Sequence, residues 1–285
     1  MKKKLLVTLR NVALICLLGI GANILTSTIL GAIFIIDVEL RFFVGYLLSM
    51  LLLLTGVWVY DWKITPKTEK TMWRAAGFDP IAILWGLLLI VALSIVLAPL
   101  MRFLPDVNRN IPTGLTTILC VIVAAPIFEE FIFRAKLFSI FRSTLSPFGA
   151  SLLSSLLFGA MHGSIAVGLE GFLVGIVLSY MYILKGSIFA PIILHILNNL
   201  VAYVLMIFKY QERTIEDFIG DLPMFSTIYI VSAIIVIAGA VHIAYIYVKA
   251  NRIVADGNNL IMLSRGDEKS VSEDDEKSEK GDKRE

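Results

Sequence analysis

An all-α, polytopic membrane helix bundle of about eight transmembrane helices is the fold this sequence predicts, and three observations predict it. Hydrophobic residues make up 58% of the chain and charged residues only 17%, well away from the balance of a soluble domain. Mean hydropathy is +0.83. Apolar runs of bilayer-crossing length, about 20 residues, recur along the chain, near 12–36, 42–60, 81–101, 115–133, 150–162, 165–184, 188–208 and 224–248.

The first run follows Met1-Lys2-Lys3-Lys4, as a secretory signal would. At about 25 residues it exceeds an h-region and carries no small-x-small cleavage site, so it reads as a retained span. The second and third runs carry no charged residue. The fourth ends near Phe133 by hydropathy, but Phe138 and Phe141 keep the following segment apolar until Ser143 through Pro147 stop it, so the helix is expected to continue to about Phe141. The fifth run, from Ala150 to His162-Gly163, is short for a span, with Gly163 placed as a helix C′ residue. In the sixth, Gly171, Gly175 and Ser179 form a small-residue stripe suited to close helix packing. The seventh starts after Gly186-Ser187 with Pro191 in its first turn, where proline is tolerated. Cys16 and Cys120 lie inside spans without metal or disulfide spacing and read as small buried hydrophobes.

The formal charge of +2 is unevenly spread. Lys2, Lys3, Lys4 and Arg10 precede the first span; Lys63, Lys67, Lys70 and Arg74 follow the second; Arg134, Lys136 and Arg142 follow the fourth. Alternate loops are poorer, with Arg41, then Arg102 and Arg109, then Lys209 and Arg213. The positive-inside rule therefore puts both termini in the cytoplasm, as an even span count requires. The expected organisation is N-terminal helices over 1–114, a core over 115–208, a last helix and flank over 209–264, and a disordered charged cytoplasmic tail over 265–285. No internal repeat, phosphate-binding glycine loop or nucleic-acid motif is present, and the expected surroundings are a lipid bilayer.

Against this scaffold stand Glu129, Glu130, Arg134, His162, His195 and Asn199. Ionisable groups are costly in hydrocarbon and face one another or a cavity. Glu130 and Arg134 are i and i+4, on one helix face, and form an expected supporting pair; Glu129 is rotated away without a local partner. The competing placement has Arg134 snorkelling at the cytoplasmic rim with both carboxylates near the headgroups. Phe158 and His162 are again i and i+4, as are His195 and Asn199. His162 on its own reads as a span-end residue, and His195 with Asn199 as an interhelical hydrogen-bonding pair. Depth argues for convergence: measured from the cytoplasmic ends of their helices, Glu129, His162 and Asn199 lie about 18 Å in and His195 about 12 Å.

A carboxylate, two imidazoles and an amide in a desolvated cavity can activate water for amide hydrolysis. Glu129 would serve as base with His162, while His195 and Asn199 donate to the oxyanion. The same Glu129, His162 and His195 could hold a divalent metal such as zinc, although the helix-borne His-Glu-x-x-His motif is absent and the metal-free reading is favoured.

Glu129-Glu130-x-x-x-Arg134, Phe158-x-x-x-His162 and His195-x-x-x-Asn199, in that order on successive apolar segments, resemble the three signature motifs of the CAAX-processing and bacteriocin-processing (CPBP, or Abi) family of intramembrane proteases. The stretch from Gly186 to His195 is similar to the family's approach to its third motif, and the resemblance covers roughly 115–208. It implies an intramembrane endopeptidase in which Glu129 and His162 activate water and His195 and Asn199 stabilise the oxyanion, acting on a membrane-embedded peptide or protein. It also admits glutamate-type or metal-dependent catalysis. The competing readings are a non-catalytic bacteriocin self-immunity or membrane scaffold protein, and a transporter, for which paired repeats or matching broken helices are missing.

Overall fold

The computed structural model describes residues 2–32, 37–64, 79–104, 114–207 and 222–255. The chain is all-helical over these segments. Eight helices follow in order: α1 (Lys2–Gly31), α2 (Val38–Ile64), α3 (Pro80–Met101), α4 (Leu115–Arg142), α5 (Pro147–Ala160), α6 (Ile165–Lys185), α7 (Phe189–Ile207) and α8 (Leu222–Ala255). Seven are long and apolar enough to cross a membrane, making this an integral membrane protein. The exception is α5, whose 14 residues reach only about 21 Å at 1.5 Å per residue, against a hydrocarbon core of about 30 Å.

Local chemistry explains the helix boundaries. Asp79 caps α3 by accepting from the backbone N–H of Ile81 and Ala82 at 3.0 and 3.1 Å, with Pro80 at the first helical position. Ser146 and Pro147 repeat the arrangement for α5, and Ser164 caps α6 through Val167 N–H at 3.2 Å. Gly186, at φ 56°, closes α6 in the left-handed conformation that a side chain would oppose.

Side-chain ties show which of these helices run with and against one another. The start of α1 meets the end of α4 through Thr8 Oγ1 and Ser143 Oγ at 3.2 Å. The start of α2 meets the start of α4 through Thr116 Oγ1, which donates to Glu39 Oε2 at 3.4 Å, and the end of α2 is held by an ion pair from Lys136 to Asp61. Asp79 at the head of α3 pairs with Lys185 at the foot of α6, and Tyr229 early in α8 donates to the Val96 carbonyl late in α3 at 3.4 Å. The core between these layers includes Leu89, Phe158, Leu178, Met181 and Leu194, all essentially without exposure.

Helix α4 is the expected long helix, continuous past Arg134 to Arg142. Two π-helical turns interrupt its α geometry, at Leu119–Ala124 and Phe131–Leu137. The Arg134 side chain has no exposure, which excludes the rim placement and removes Arg134 from the loop charges. Lys136 is likewise part of the helix and engaged with Asp61. The small-residue stripe packs against α5 as expected: a Cβ on Gly175 would meet Ser155 at 2.9 Å, and the Ser155 and Ser179 hydroxyls lie 3.4 Å apart. One sequence reading is corrected: Cys120 is buried but Cys16 faces outward from α1. His242 on α8 meets the Tyr180 hydroxyl at 3.1 Å. The charged tail and the loop cations Lys67, Lys70, Arg74, Arg109, Lys209 and Arg213 lie outside the described residues.

Candidate active site

Glu130 occupies the centre of the polar cluster with no exposure. Its Oε1 lies 3.0 Å from Nη1 of Arg134, one helical turn on, and 2.9 Å from Nδ1 of His195 on α7. A buried guanidinium needs both an anion and further acceptors. The second is the Gly175 carbonyl, which accepts from Arg134 Nη2 at 3.2 Å. Gly175 is thus both a close-packing residue and a ligand for the arginine. The Phe158 ring supplies the remaining wall, with the Arg134 guanidinium carbon 4.7 Å from its centroid.

Phe158 is more than the spacing partner of His162. Its ring is edge-on to His162 at 4.8 Å, to His195 at 5.5 Å and to Phe133 at 5.1 Å. One aromatic side chain on α5 therefore contacts both imidazoles and the arginine, in edge-on and cation–π geometries that the ring quadrupole favours. The Phe158 backbone takes part too: its carbonyl oxygen lies 2.8 Å from His162 Nδ1. A carbonyl can only accept, so this contact puts a proton on Nδ1 of His162. Helix α5 ends at Ala160, His162 N–H turns back to Gly159 O at 3.0 Å, and Gly163 follows at φ 72°. The turn seats His162 within the depth of the bundle instead of carrying it across.

Glu129 has a different environment from its neighbour. It is 20% exposed, its Oε1 accepts from the Tyr46 hydroxyl of α2 at 3.2 Å, and its Oε2 stands 3.8 Å from Nε2 of His195. His195 therefore lies between two adjacent carboxylates, with Nδ1 on Glu130 and Nε2 toward Glu129. At 3.8 Å the latter pair is too far apart for a direct hydrogen bond.

Asn199, one turn beyond His195, donates from Nδ2 to the Val121 carbonyl at 2.9 Å and accepts from Asn198 at Oδ1. The reason lies in α4. At its first π turn the Ala125 N–H reaches back five residues to Cys120 O, and the next residue, Pro126, has no N–H to offer. Neither donor that would ordinarily serve Val121 O is available, and the Asn199 amide takes their place. This is an interhelical bond of the kind one sequence reading assigned to the pair. The second proton on Nδ2 is not required by it.

The structure thus brings together Glu129, Glu130, Arg134, Phe158, His162 and His195, with Asn199 joined to the same helix as the two glutamates. Sequence reasoning missed Tyr46, for which α2 holds no spacing signal, and the Val121 carbonyl, which Pro126 in a helix interior does announce. Among the described residues no three His, Cys, Asp or Glu side chains converge closely enough to hold a metal ion.

Residues 111–201, which hold all three motifs, match the family model of the Rce1-like type II CAAX prenyl endopeptidases. This segment is Rce1-like. An uncharacterised 24.3 kDa protein of Escherichia coli is 33% identical over 93 residues, 31% of this chain and 43% of that protein. The match thus spans less than half the length of that relative. No solved structure matches the chain. The Rce1-like segment contains α4 to most of α7, and so every residue of the cluster except Tyr46.

Proposed function

We propose that this protein is an intramembrane endopeptidase that hydrolyses a peptide bond of a membrane-embedded peptide or protein. The observation that carries the reading is the divergence of two adjacent carboxylates. Glu130 is fully enclosed by Arg134 and His195, whereas Glu129 is partly exposed and its Oε2 makes only a long 3.8 Å approach to His195. Carboxylates in unlike environments take unlike roles.

In the proposed reaction Glu129 Oε2 accepts a proton from water as its oxygen attacks the substrate carbonyl carbon. His162, with its proton on Nδ1, offers the Nε2 lone pair to the water's second hydrogen. A doubly protonated His195 keeps Nδ1–H on Glu130 and directs Nε2–H to the oxyanion, joined by the second N–H of Asn199. Collapse of the intermediate breaks the C–N bond, and Glu129 returns its proton to the departing amine. Arg134 and Phe158 hold this arrangement and touch no reacting atom. The Rce1-like match and the family resemblance support protease chemistry. The charge bias of the loops supports cytoplasmic termini, and the Escherichia coli relative supports a bacterial membrane.

The test is cleavage of a quenched fluorescent peptide library, with prenylated and unprenylated C-termini, by protein in detergent or nanodiscs. Wild type should cleave; Glu129→Gln and His162→Ala should lose at least about a hundred-fold. Equal cleavage by wild type and Glu129→Gln would sink the mechanism, and a library left intact by folded wild-type protein would favour the scaffold reading.

A further inference from the structure

We propose that Tyr46 is a positioning residue for the Glu129 carboxylate, making α2, which lies outside the Rce1-like segment, part of the active site. The inference rests on Glu129 acting as the base. The two oxygens of Glu129 have different neighbours: Oε1 accepts from the Tyr46 hydroxyl at 3.2 Å, and Oε2 faces His195 Nε2 at 3.8 Å. A carboxylate free to rotate would present either oxygen to the water. A phenol donor on Oε1 removes that freedom and leaves Oε2 as the proton acceptor.

The contact is not a chance approach of a loose helix. Both ends of α2 are tied to α4, Glu39 to Thr116 and Asp61 to Lys136, and Tyr46 lies between the ties. The parallel register of α2 on α4 is therefore set on either side of the hydroxyl. No other side-chain hydroxyl is recorded on Glu129 among the described residues.

Tyr46→Phe removes only the donor. It should lower kcat about ten-fold or more while leaving KM within about two-fold, since a lost hydrogen bond to a charged group is felt in the chemical step. In a Glu129→Gln background the same substitution should add no further loss. Infrared difference spectra give a second readout that needs no substrate: Tyr46→Phe should shift the carboxylate bands, and the shift should vanish in Glu129→Gln. Wild-type kcat and an unshifted band in Tyr46→Phe overturn the proposal. Activity retained by Glu129→Gln overturns instead the assignment of the base, with the infrared arm still deciding whether Tyr46 holds that carboxylate.

Discussion

Glu130 and His195, 65 residues apart, share a single contact of 2.9 Å between Oε1 and Nδ1. The same oxygen neutralises Arg134. One carboxylate thus joins the middle of α4 to the first half of α7 while leaving its neighbour Glu129 for other work.

From that sharing comes a contrast between adjacent residues. Glu130→Ala strands the wholly buried Arg134 cation, and stability should fall by about 3–5 kcal/mol. Glu129→Ala removes a partly exposed group with one hydrogen bond and should cost about 1 kcal/mol. Unfolding of both variants in detergent, followed by circular dichroism, gives the comparison. Equal losses would contradict the division between them.

The α5–α6 crossing should be intolerant of a single methyl group. A Cβ on Gly159 would sit 2.3 Å from the Gly168 carbonyl oxygen and 2.9 Å from Phe172 N, both backbone atoms. Gly159→Ala should therefore destabilise by roughly 1–3 kcal/mol or more and displace His162, three residues on, with loss of cleavage. Gly21→Ala, where a Cβ meets nothing within 4 Å, should leave thermal stability and activity unchanged.

Asn199 and Pro126 should be coupled. Asn199→Leu strands the Val121 carbonyl and should cost about 1–3 kcal/mol. Pro126→Ala returns an N–H that can serve that carbonyl, so the double variant should recover about 1 kcal/mol relative to additivity. It should not recover cleavage. Strict additivity in the unfolding cycle would remove the π-turn explanation of the Asn199 bond.

Outside the membrane-spanning segments, the Lys185 ammonium together with the Ala82 and Ile81 amides holds the Asp79 carboxyl below its ordinary 3.8. A carboxylate lowered on folding stabilises above the ordinary value and loses that contribution as pH falls through the folded one. Asp79 is 39% exposed, so solvent screening keeps the effect below about 1 kcal/mol. Thermal melts of wild type and Asp79→Asn should differ slightly at neutral pH and converge below that range.

Much of the site was legible because helix periodicity converts spacing into shared faces. The pairing of Glu130 with Arg134 and the distinctness of Glu129 follow from counting residues, and the run of α4 beyond Arg134 from the apolar Phe138 and Phe141. Depth bookkeeping at 1.5 Å per residue placed His162 and Glu129 at one level. What spacing does not encode is which helices become neighbours. Nothing local to α2 marks Tyr46 as a partner of Glu129, 83 residues away. Nor does sequence say which nitrogen of His195 turns to which carboxylate, because that depends on the rotation of α7 against α4. The short fifth run was visible as a length; its role in seating the His162 turn needed the packing of α5 on α6.

The π turn at Leu119–Ala124 makes α4 a shaft with an angular offset. Each residue added to or removed from a helix turns everything beyond it by about 100°. The π turn absorbs one extra residue as a bulge, so Glu129 and Glu130 stand about 100° from the phase that uninterrupted α-helical counting would give them relative to Thr117, which is buried in the first turn. The motifs therefore specify the site only together with the phase of the helix that carries them.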